Sequence, residues 1–483
     1  MFSELIAARL ERGATAALAE QVYAAIRELI LAAGLTPGQK LPSSRQLAGD
    51  LALARNTIID AYARLADEGY VEARTGAGSF VARTLPETQL QAQASARAGG
   101  RANQAGLSRR AQAVLDEVAI IDGGAFAPGA PDLSQFPFDV WQRLLSKAWR
   151  QVHLGDVRYA GRGGHPDLRE AIAQHVQLTR QVRCTPKQVI VVNGAQHGLD
   201  LCARLLADVG ERAWVEDPGY PGARRAMRAA DLELVPVRVD EEGMAPTARQ
   251  WQRPPRLLYI TPSHQFPTGV VMSLRRRREL LEAASAHRCW IIEDDYDGEF
   301  RFEGRPIASL QGIDDGQRVI YLGTFSKAMF PGLRLGYLVL PEAIASRFSL
   351  AASQLAFEGR LITQAALAQF MREGHFAAHV RRMRMAYAQR RSLFEEVWRS
   401  ELGERASLSG LDTGMHMIAS LPVGMDQAIS DAAAAEGIIA QSLGSLFIGK
   451  PDRSGLVLGY GAVDEAAIRR NARKLARLVA LRV

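Results

Sequence analysis

The pattern of apolar and polar positions divides the chain into a short first part and a long second part with different rhythms. Near the N-terminus, apolar residues recur every three or four positions, at Leu18, Val22, Ile26, Leu29 and again at Ile58, Tyr62 and Leu65. Later in the chain, short apolar runs alternate with long amphipathic stretches. The first rhythm predicts a small helical domain, and the second predicts strands that alternate with helices.

The first part predicts three helices and a hairpin. Ser43, followed three residues later by Gln46, has the form of a capping box and opens the second helix. Gly69 is placed to end the third helix. Residues 70–73 and 79–81 then flank a glycine-rich turn, which predicts two short antiparallel strands. Three helices followed by a hairpin make an α+β winged helix-turn-helix.

Short apolar runs in the second part predict the strands of an α/β domain with a doubly wound, mostly parallel sheet. The runs lie at 189–192, 213–215, 234–237, 257–260, 290–292, 319–322 and 337–340. Such sheets bind ligands at the carboxyl ends of their strands. The polar motifs of the second part follow these runs directly, so we expect a binding site there.

The stretch between the two parts offers little that a core could bury. No aromatic residue occurs between Phe80 and Phe126, and residues 85–107 are dominated by Ala, Gln, Gly, Arg and Ser. Such a composition predicts a flexible linker. The predicted organisation is a DNA-binding domain, a linker and a large domain at residues 1–83, 84–118 and 119–483.

Composition and charge change this picture only slightly. A net charge of +7 favours a nucleic-acid partner, but the first 83 residues contain as many acidic as basic side chains. The case for DNA therefore depends on where individual residues lie. No run approaches the ~18 apolar residues needed to cross a bilayer, and the N-terminus lacks the pattern of a secretory signal. The three cysteines match neither a metal site nor a disulfide framework, so we expect a cytoplasmic protein without a metal or a membrane partner.

The candidate DNA-binding residues lie at helix N-termini and beside the hairpin turn. A recognition helix places its first residues in the major groove, and Arg55, Asn56 and Thr57 occupy that place in the third helix. Arg45 opens the preceding helix and suits a backbone phosphate, while Arg74 stands beside the wing. Taken alone, these residues are equally well explained as solvated charges on a small helical domain.

Several residues of the second part have the properties that a pyridoxal phosphate site requires. Such a site needs a lysine for the Schiff base, a carboxylate that keeps the pyridine nitrogen protonated, and an aromatic face on the ring. Lys327, Asp294 and Tyr220 follow three of the predicted strands and supply these groups. Tyr296 is placed to donate to the ring's 3-hydroxyl oxygen. Each also has a plainer explanation, as a solvated lysine, an acidic helix cap or a packed core tyrosine.

The phosphate of that cofactor would be bound by backbone amides at a helix N-terminus, by hydroxyls and by a guanidinium. The residues with these properties are Gly194, Ala195, Gln196, Thr324, Ser326 and Arg334. A glycine turn between a strand and a helix is common, so the first three are weak evidence by themselves. Together with Lys327 they predict a complete site.

The first part resembles the GntR family of DNA-binding domains. The resemblance covers residues 15–83 and lies in the runs 41–48, 55–57 and 76–81 and in the Glu68-Gly69-Tyr70 element. It implies that DNA is contacted by Arg45, Arg55, Thr57 and Gly76.

Residues 120–483 resemble the fold-type I aminotransferases, through Ser326-Lys327, Arg334 and Gly336-Tyr337. From this resemblance Lys327, Asp294, Tyr296 and Arg334 take their roles at the cofactor. The segment from Tyr159 to Arg169 is similar to the element in which a tyrosine reaches the phosphate of the partner subunit, which implies a homodimer.

The combination of the two domains resembles the MocR/GabR subfamily of bacterial regulators, as do the motifs at 261–269 and 293–297. Two positions depart from the aminotransferase pattern. Phe266 replaces the Asn that bonds the cofactor's 3-hydroxyl, and Val457 replaces the Arg that binds a substrate carboxylate, with Arg453 as the nearest substitute. Both departures weaken the interpretation as an enzyme.

The resemblance implies a cytoplasmic, nucleoid-associated regulator that binds pyridoxal 5'-phosphate, senses an amine effector or the cofactor itself, and binds a double-stranded operator with two half-sites. The alternative is an active class I/II aminotransferase with an accessory DNA-binding domain. A third interpretation, in which the large domain is only a dimerisation scaffold, conflicts with the full set of cofactor residues.

Overall fold

A computed structural model describes the chain at residues 2–10, 16–32, 34–74, 77–83, 107–117, 124–152, 163–302, 308–355, 359–403 and 405–482. Its internal contacts divide the chain into two units, Met1–Gly106 and Leu107–Val483. No helix in the described ranges is long and apolar enough to cross a membrane.

The first unit is a winged helix-turn-helix, as the sequence predicts. Its helices are α1 (Phe2–Ala7), α2 (Leu18–Leu31), α3 (Ser44–Leu51) and α4 (Arg55–Asp67), followed by the antiparallel strands β1 (Val71–Arg74) and β2 (Gly78–Val81). Ser43 caps α3, since its side chain accepts a hydrogen bond from the Gln46 amide at 3.2 Å. The sequence pattern did not predict α1, which contributes the buried Ile6 to the core.

The core of this unit is built from the periodic residues of α2 and α4. Val22, Ile26, Ile58 and Leu65 are completely buried and pack together with Leu47 of α3. Burial of these faces fixes the angle between α3 and α4. The N-terminal ends of both helices are thereby held at the surface of the unit.

The second unit is built on an eight-stranded sheet that contains all seven predicted strands. These are β3 (Val189–Val192), β4 (Arg212–Asp217), β5 (Glu233–Asp240), β7 (Leu257–Ile260), β8 (Trp290–Asp295), β9 (Val319–Thr324) and β10 (Gly336–Val339), and β6 (Gly243–Met244) is added at the edge. The order is β3-β10-β9-β8-β7-β4-β5-β6. The pairs from β9 to β5 are parallel, while β10 is antiparallel to both neighbours.

Both faces of this sheet are buried. Along β3, Val189 and Val191 belong to one apolar cluster, while Ile190 and Val192 belong to another on the opposite face. Alternate residues of a strand point to opposite faces, so helices must cover the sheet on both sides. This confirms the mostly parallel α/β fold.

Twelve helices of the second unit are described. They are α5 (Arg109–Leu115), α6 (Phe138–Arg150), α7 (Pro166–Arg180), α8 (Ala195–Leu206), α9 (Pro221–Ala229), α10 (Ala248–Trp251), α11 (Leu274–His287), α12 (Glu342–Leu355), α13 (Leu361–Arg372), α14 (His375–Leu402), α15 (Asp426–Ala435) and α16 (Glu465–Ala480). A second sheet has the order β11 (Leu408–Ser409), β12 (His416–Leu421), β14 (Ser454–Gly459) and β13 (Gln441–Ser442).

Part of the segment that the sequence assigns to the linker is helical. Helix α5 is followed by Glu117, whose carboxylate pairs with Arg224 at 3.0 Å and with Arg228 at 3.1 Å, both on α9. Arg228 also donates to the Ala113 carbonyl. These contacts attach residues 109–117 to the large unit, which apolar patterning alone did not indicate, and the predicted linker residues 84–106 lie outside the described residues.

Candidate functional site

A cavity of about 450 Å³ lies at the carboxyl ends of the central strands. The loops after β3, β4, β7, β8 and β9 form most of its wall. The predicted cofactor residues that line it are Gly194, Ala195, Gln196, Tyr220, Asp294, Tyr296, Thr324, Ser326, Lys327 and Arg334. The remaining predicted residue, Tyr159, lies outside the described residues. The structure therefore places ten predicted residues from four separate segments of the sequence around one space.

Lys327 lies three residues beyond the end of β9 and contacts the loop at Gly129, which no sequence motif indicated. Its Nζ donates a hydrogen bond to the Gly129 carbonyl at 2.7 Å. Gly129 has a φ of +71°, and a Cβ there would lie 2.8 Å from the same nitrogen. Only glycine therefore suits this position, because a side chain would both strain the backbone and displace the lysine.

Asp294 is almost fully buried at the end of β8 and has an unsatisfied oxygen. Its Oδ2 accepts a hydrogen bond from the Tyr259 hydroxyl at 2.8 Å, but its buried Oδ1 has no partner among the described residues. Burial raises the pKa of this carboxyl to about 7. A buried carboxylate oxygen without a donor is costly. The arrangement therefore favours a ligand that brings a cationic N–H into the cavity.

The neighbouring carboxylate, Asp295, does not compete for that role. Arg180 donates to it twice, at 2.6 and 3.0 Å, and the Tyr321 hydroxyl also donates to it. A bidentate guanidinium pair satisfies both carboxylate oxygens. Asp294 is therefore the carboxylate available to a ligand.

The residues suited to a phosphate lie together at another part of the cavity wall. Gly194 has a φ of +85° and is the N-cap of α8, so the amides of Ala195 and Gln196 are at the start of a twelve-residue helix. Thr324 donates to Ser326 through their hydroxyls at 3.1 Å. The exposed guanidinium of Arg334 has no ion pair with any described residue. Together these groups have the donors and the positive charge that a bound anion requires.

A buried carboxylate positions the loop that carries Phe266. Glu216 accepts hydrogen bonds from the Thr261 hydroxyl at 2.6 Å and from the Gln265 amide at 3.2 Å. Gln265 in turn accepts from the amide and the hydroxyl of Thr268. This network explains why Thr and Gln occur in the 261–269 motif: they fix the loop from within.

Phe266 itself offers the cavity only an aromatic ring. Its ring centroid lies 5.9 Å from that of Tyr220 and 6.2 Å from that of Tyr296, both in edge-on geometry. The Tyr296 hydroxyl is 3.0 Å from His264 Nδ1. A phenyl ring has no donor for a ligand oxygen, so polar recognition in this region must come from other side chains.

Val457 is buried and does not line the cavity. It packs with Ile418, Leu443 and Leu446, and Phe266 packs against the same cluster. Arg453, the nearest substitute for an arginine at this place, pairs with Asp452 at 3.2 Å and also does not line the cavity. Neither residue provides a carboxylate clamp there.

Three buried polar residues beside the cavity were not identified from the sequence. His264, Asp297 and His416 bring their ligand atoms within 4.8 Å of one another. His264 Nδ1 is 2.9 Å from Asp297 Oδ2, and His416 Nε2 is 3.0 Å from the Pro267 carbonyl. Burial lowers the pKa of His416 to about 3, so this ring is neutral. Their separation in sequence explains why no spacing motif indicated them, and the absence of a metal stays a prediction.

The candidate DNA-binding residues lie at the ends of α3 and α4. Arg45, Arg55 and Asn56 are exposed, and Thr57 is half-buried. Arg55 lies close to the start of α3, since its Nε is 3.4 Å from the Ser44 hydroxyl. These side chains therefore share one surface of the first unit.

Arg74 behaves differently from the other candidate DNA-binding residues. It pairs with Glu72 at 3.4 Å and lies over the Phe80 ring at 4.6 Å. These contacts hold its guanidinium against the wing. Gly76 lies outside the described residues.

Comparison with known proteins identifies two families in this chain. Residues 132–447 match the class I and II aminotransferase family, and residues 18–81 match the gntR family of bacterial regulatory proteins. The probable rhizopine catabolism regulatory protein MocR of Rhizobium meliloti is 40% identical over 96% of this chain and 94% of its own length. The HTH-type transcriptional regulator TauR of Rhodobacter capsulatus is 33% identical over 97% of this chain and 98% of its own.

The large unit is also similar to solved aminotransferases. The crystal structure of LysN, the α-aminoadipate aminotransferase of Thermus thermophilus complexed with N-(5'-phosphopyridoxyl)-L-leucine, matches with a TM-score of 0.69 and 26% identity. The match covers 77% of this chain and 97% of that one. The large unit thus has the fold of the enzymes that bind pyridoxal phosphate.

The unpaired oxygen of Asp294 generates a prediction about cofactor binding. Asp294→Asn keeps the shape and the contact with Tyr259 but removes the charge that would pair with a ring nitrogen. We expect weaker cofactor binding and a shifted visible absorption maximum, measured by titrating the protein with pyridoxal phosphate.

The pH dependence of that effect follows from the pKa of Asp294. As pH falls through about 7, the wild-type carboxyl takes up a proton and loses its charge, so the difference between wild type and variant should shrink. Asp452→Asn, which removes a surface carboxylate from the same unit, is the matched control. Equal affinities for wild type and Asp294→Asn at pH 8 would contradict this role.

Proposed function

This chain belongs to the MocR/GabR subfamily of GntR-type transcription regulators, and we propose that it regulates transcription according to the state of a pyridoxal phosphate attached to Lys327. The observation that carries the cofactor proposal is the unpaired Asp294 Oδ1 in the cavity that Lys327 also lines. A pyridinium N–H would satisfy that oxygen. The residues present therefore suit this cofactor.

Each side of the cavity has a distinct task in this proposal. Lys327 provides the amine that binds the cofactor covalently, and Asp294 holds the ring nitrogen in its protonated form. Tyr220 lies against the ring, and Arg334 with the start of α8 binds the phosphate. When bound, the cofactor supplies an aldehyde carbon that primary amines attack and a ring that withdraws electrons. We further propose that Tyr296 lies beside the ring's 3-hydroxyl and that Tyr159 reaches the phosphate of the partner subunit.

The signal is either the arrival of an amine effector or the presence of the cofactor itself. An amine that replaces Lys327 frees the lysine side chain, which is a local change in charge and contacts. Such a change shifts the equilibrium between two conformations of the protein only if the two conformations bind the product with different affinities. The proposed organisation places the DNA-binding domain at 1–83, the linker at 84–118 and the effector domain at 119–483, with residues 109–117 of the linker attached to the large unit.

The DNA-binding part of the proposal depends on the surface formed by Arg45, Arg55, Asn56 and Thr57. One domain of this size buries little area on DNA. We therefore propose a homodimer with two such domains, which binds a double-stranded operator with two half-sites. Gly76 and Arg74 would place the wing at the adjacent groove.

The site supports cofactor binding better than it supports turnover as an aminotransferase. Phe266 offers no hydrogen bond to the cofactor, and Val457 provides no charge for a substrate carboxylate. Sustained keto-acid production from amino acids would favour the enzymatic alternative.

Lys327→Ala tests the covalent attachment. The variant should lose the visible absorption of the bound cofactor and should yield no adduct after borohydride reduction, because Lys327 is the only lysine among the described residues that line the cavity. Lys187→Ala, which removes a lysine of the same unit just before β3, is the control and should retain both signals. A reducible adduct in Lys327→Ala would contradict the assignment.

Arg55→Ala tests the DNA-binding surface. If Arg55 reads a base edge, its loss should cost about 1–3 kcal/mol of affinity for the operator, with cofactor binding unchanged. Arg64→Ala is the charge-matched control on the same helix, because Glu20 and Glu68 already pair with Arg64. Equal losses on operator and on random DNA would show that Arg55 contacts phosphate instead.

The lack of a clamping arginine predicts weak responses to ordinary amino acids. A carboxylate in a partly buried pocket is best matched by the planar guanidinium of Arg, and neither Val457 nor Arg453 lines the cavity to provide one. Alanine, aspartate and glutamate should leave the visible spectrum and the DNA affinity nearly unchanged. Submillimolar spectral changes with any of the three would overturn this prediction.

A further inference from the structure

Gln441 presents its side-chain amide to the cavity without a partner from the described residues. The residue is 6% exposed and lines the cavity. Its side chain makes no hydrogen bond to a described residue, and its amide atoms are not among the buried polar atoms that lack a partner, so the amide faces the space of the cavity. Its two donors and its acceptor are therefore available to a ligand.

Gln441 lies on the strand next to Val457, the position that lacks the clamping arginine. In the second sheet, Gln441 of β13 and Ile418 of β12 are paired with Val457 of β14 on either side. His416, also on β12, lines the cavity, and its ring lies 5.4 Å from that of Phe266. This wall therefore presents Gln441 and His416 as its polar groups.

The polar groups of this wall carry no positive charge. Among the described lining residues the cations are Lys327 and Arg334, which serve the covalent attachment and the phosphate. Burial keeps His416 neutral, since its pKa is lowered to about 3. The carboxylate of Asp294 adds negative charge to the same cavity. A ligand carboxylate placed at this wall would thus be desolvated without a counter-charge.

A hydroxyl group is the ligand group that matches this wall. It donates to the amide oxygen of Gln441 and accepts from the amide nitrogen, so it can satisfy both ends of the side chain. Building on the proposed function, we propose that the effector is a primary amine that carries one or more hydroxyl groups, and that Gln441 is the residue that selects it.

The test uses pairs of amines in which one member carries a hydroxyl group where the other carries a carboxylate. 3-Amino-1-propanol is compared with β-alanine, alaninol with alanine, and propylamine serves as the apolar member. Each is titrated into the cofactor-loaded, full-length protein, and the change in visible absorption gives its affinity. We expect each amino alcohol to bind about tenfold more tightly than its carboxylate partner, because the carboxylate loses hydration without a cation in return.

Two variants separate the role of Gln441 from general effects on the cavity. Gln441→Met keeps the length of the side chain but removes its hydrogen bonds, and should weaken the amino alcohols about fivefold, the loss expected for a neutral hydrogen bond, while leaving propylamine unchanged. Gln441→Glu keeps an acceptor and adds a charge, so it should bind β-alanine still more weakly. Propylamine, which has no group that bonds to the amide, serves as the reference for general effects on the cavity in each protein.

The outcomes distinguish this inference from the proposed function. Carboxylates that bind as tightly as the alcohols, or a Gln441→Met variant with unchanged affinity for 3-amino-1-propanol, would overturn the role of Gln441 while leaving the cofactor proposal intact. A protein that takes up no cofactor would contradict the proposed function instead. In that case thermal stabilisation by the same amines still decides whether the hydroxyl members are preferred and whether Gln441→Met abolishes the preference.

Discussion

The site depends on one buried carboxylate, Asp294, whose Oδ1 has no hydrogen-bond partner among the described residues. Such an oxygen raises the free energy of the empty protein, and Asp294 is kept in this state because none of the described residues reaches Oδ1. Tyr259 fixes the orientation of the carboxyl without neutralising it. The fold therefore holds this carboxylate in position for a cationic ring before the ligand arrives.

The surroundings of two neighbouring carboxyl groups, Asp295 and Glu216, explain why Asp294 is the one placed to bind the ring. Asp295 is neutralised by Arg180, while Glu216 is held through one oxygen by Thr261 and Gln265. The other oxygen of Glu216 is buried without a partner, like Oδ1 of Asp294, and burial raises the pKa of both carboxyls to about 7. Asp294 lines the cavity and Glu216 does not. The unmatched oxygen of Asp294 is therefore the one that is placed for ligand recognition.

Much of the fold and about half of the site could be predicted from local patterns. Short apolar runs located the seven strands, local helix signals located α2, α3 and α4 of the first unit but not α1, and the residues at strand ends identified Lys327 and Asp294. The short strands β11 and β13 have two residues each, which is too few for any periodicity to register. Gln441, His416 and Gly129 could not be identified because their positions matter only after three distant segments meet at the cavity, and an isolated Gln or Gly in a sequence carries no signal.

The placement of α9 has a mechanical consequence. This helix begins at Pro221, directly after the cavity residue Tyr220, and Arg224 and Arg228 lie one and two turns along it. Both guanidinium groups hold Glu117, at the end of the chain segment that enters the large unit. The same short helix thus begins at the cavity wall and carries the two salt bridges that fix residues 109–117 to the large unit, so the wall of the site and the anchorage of that segment are built from one element.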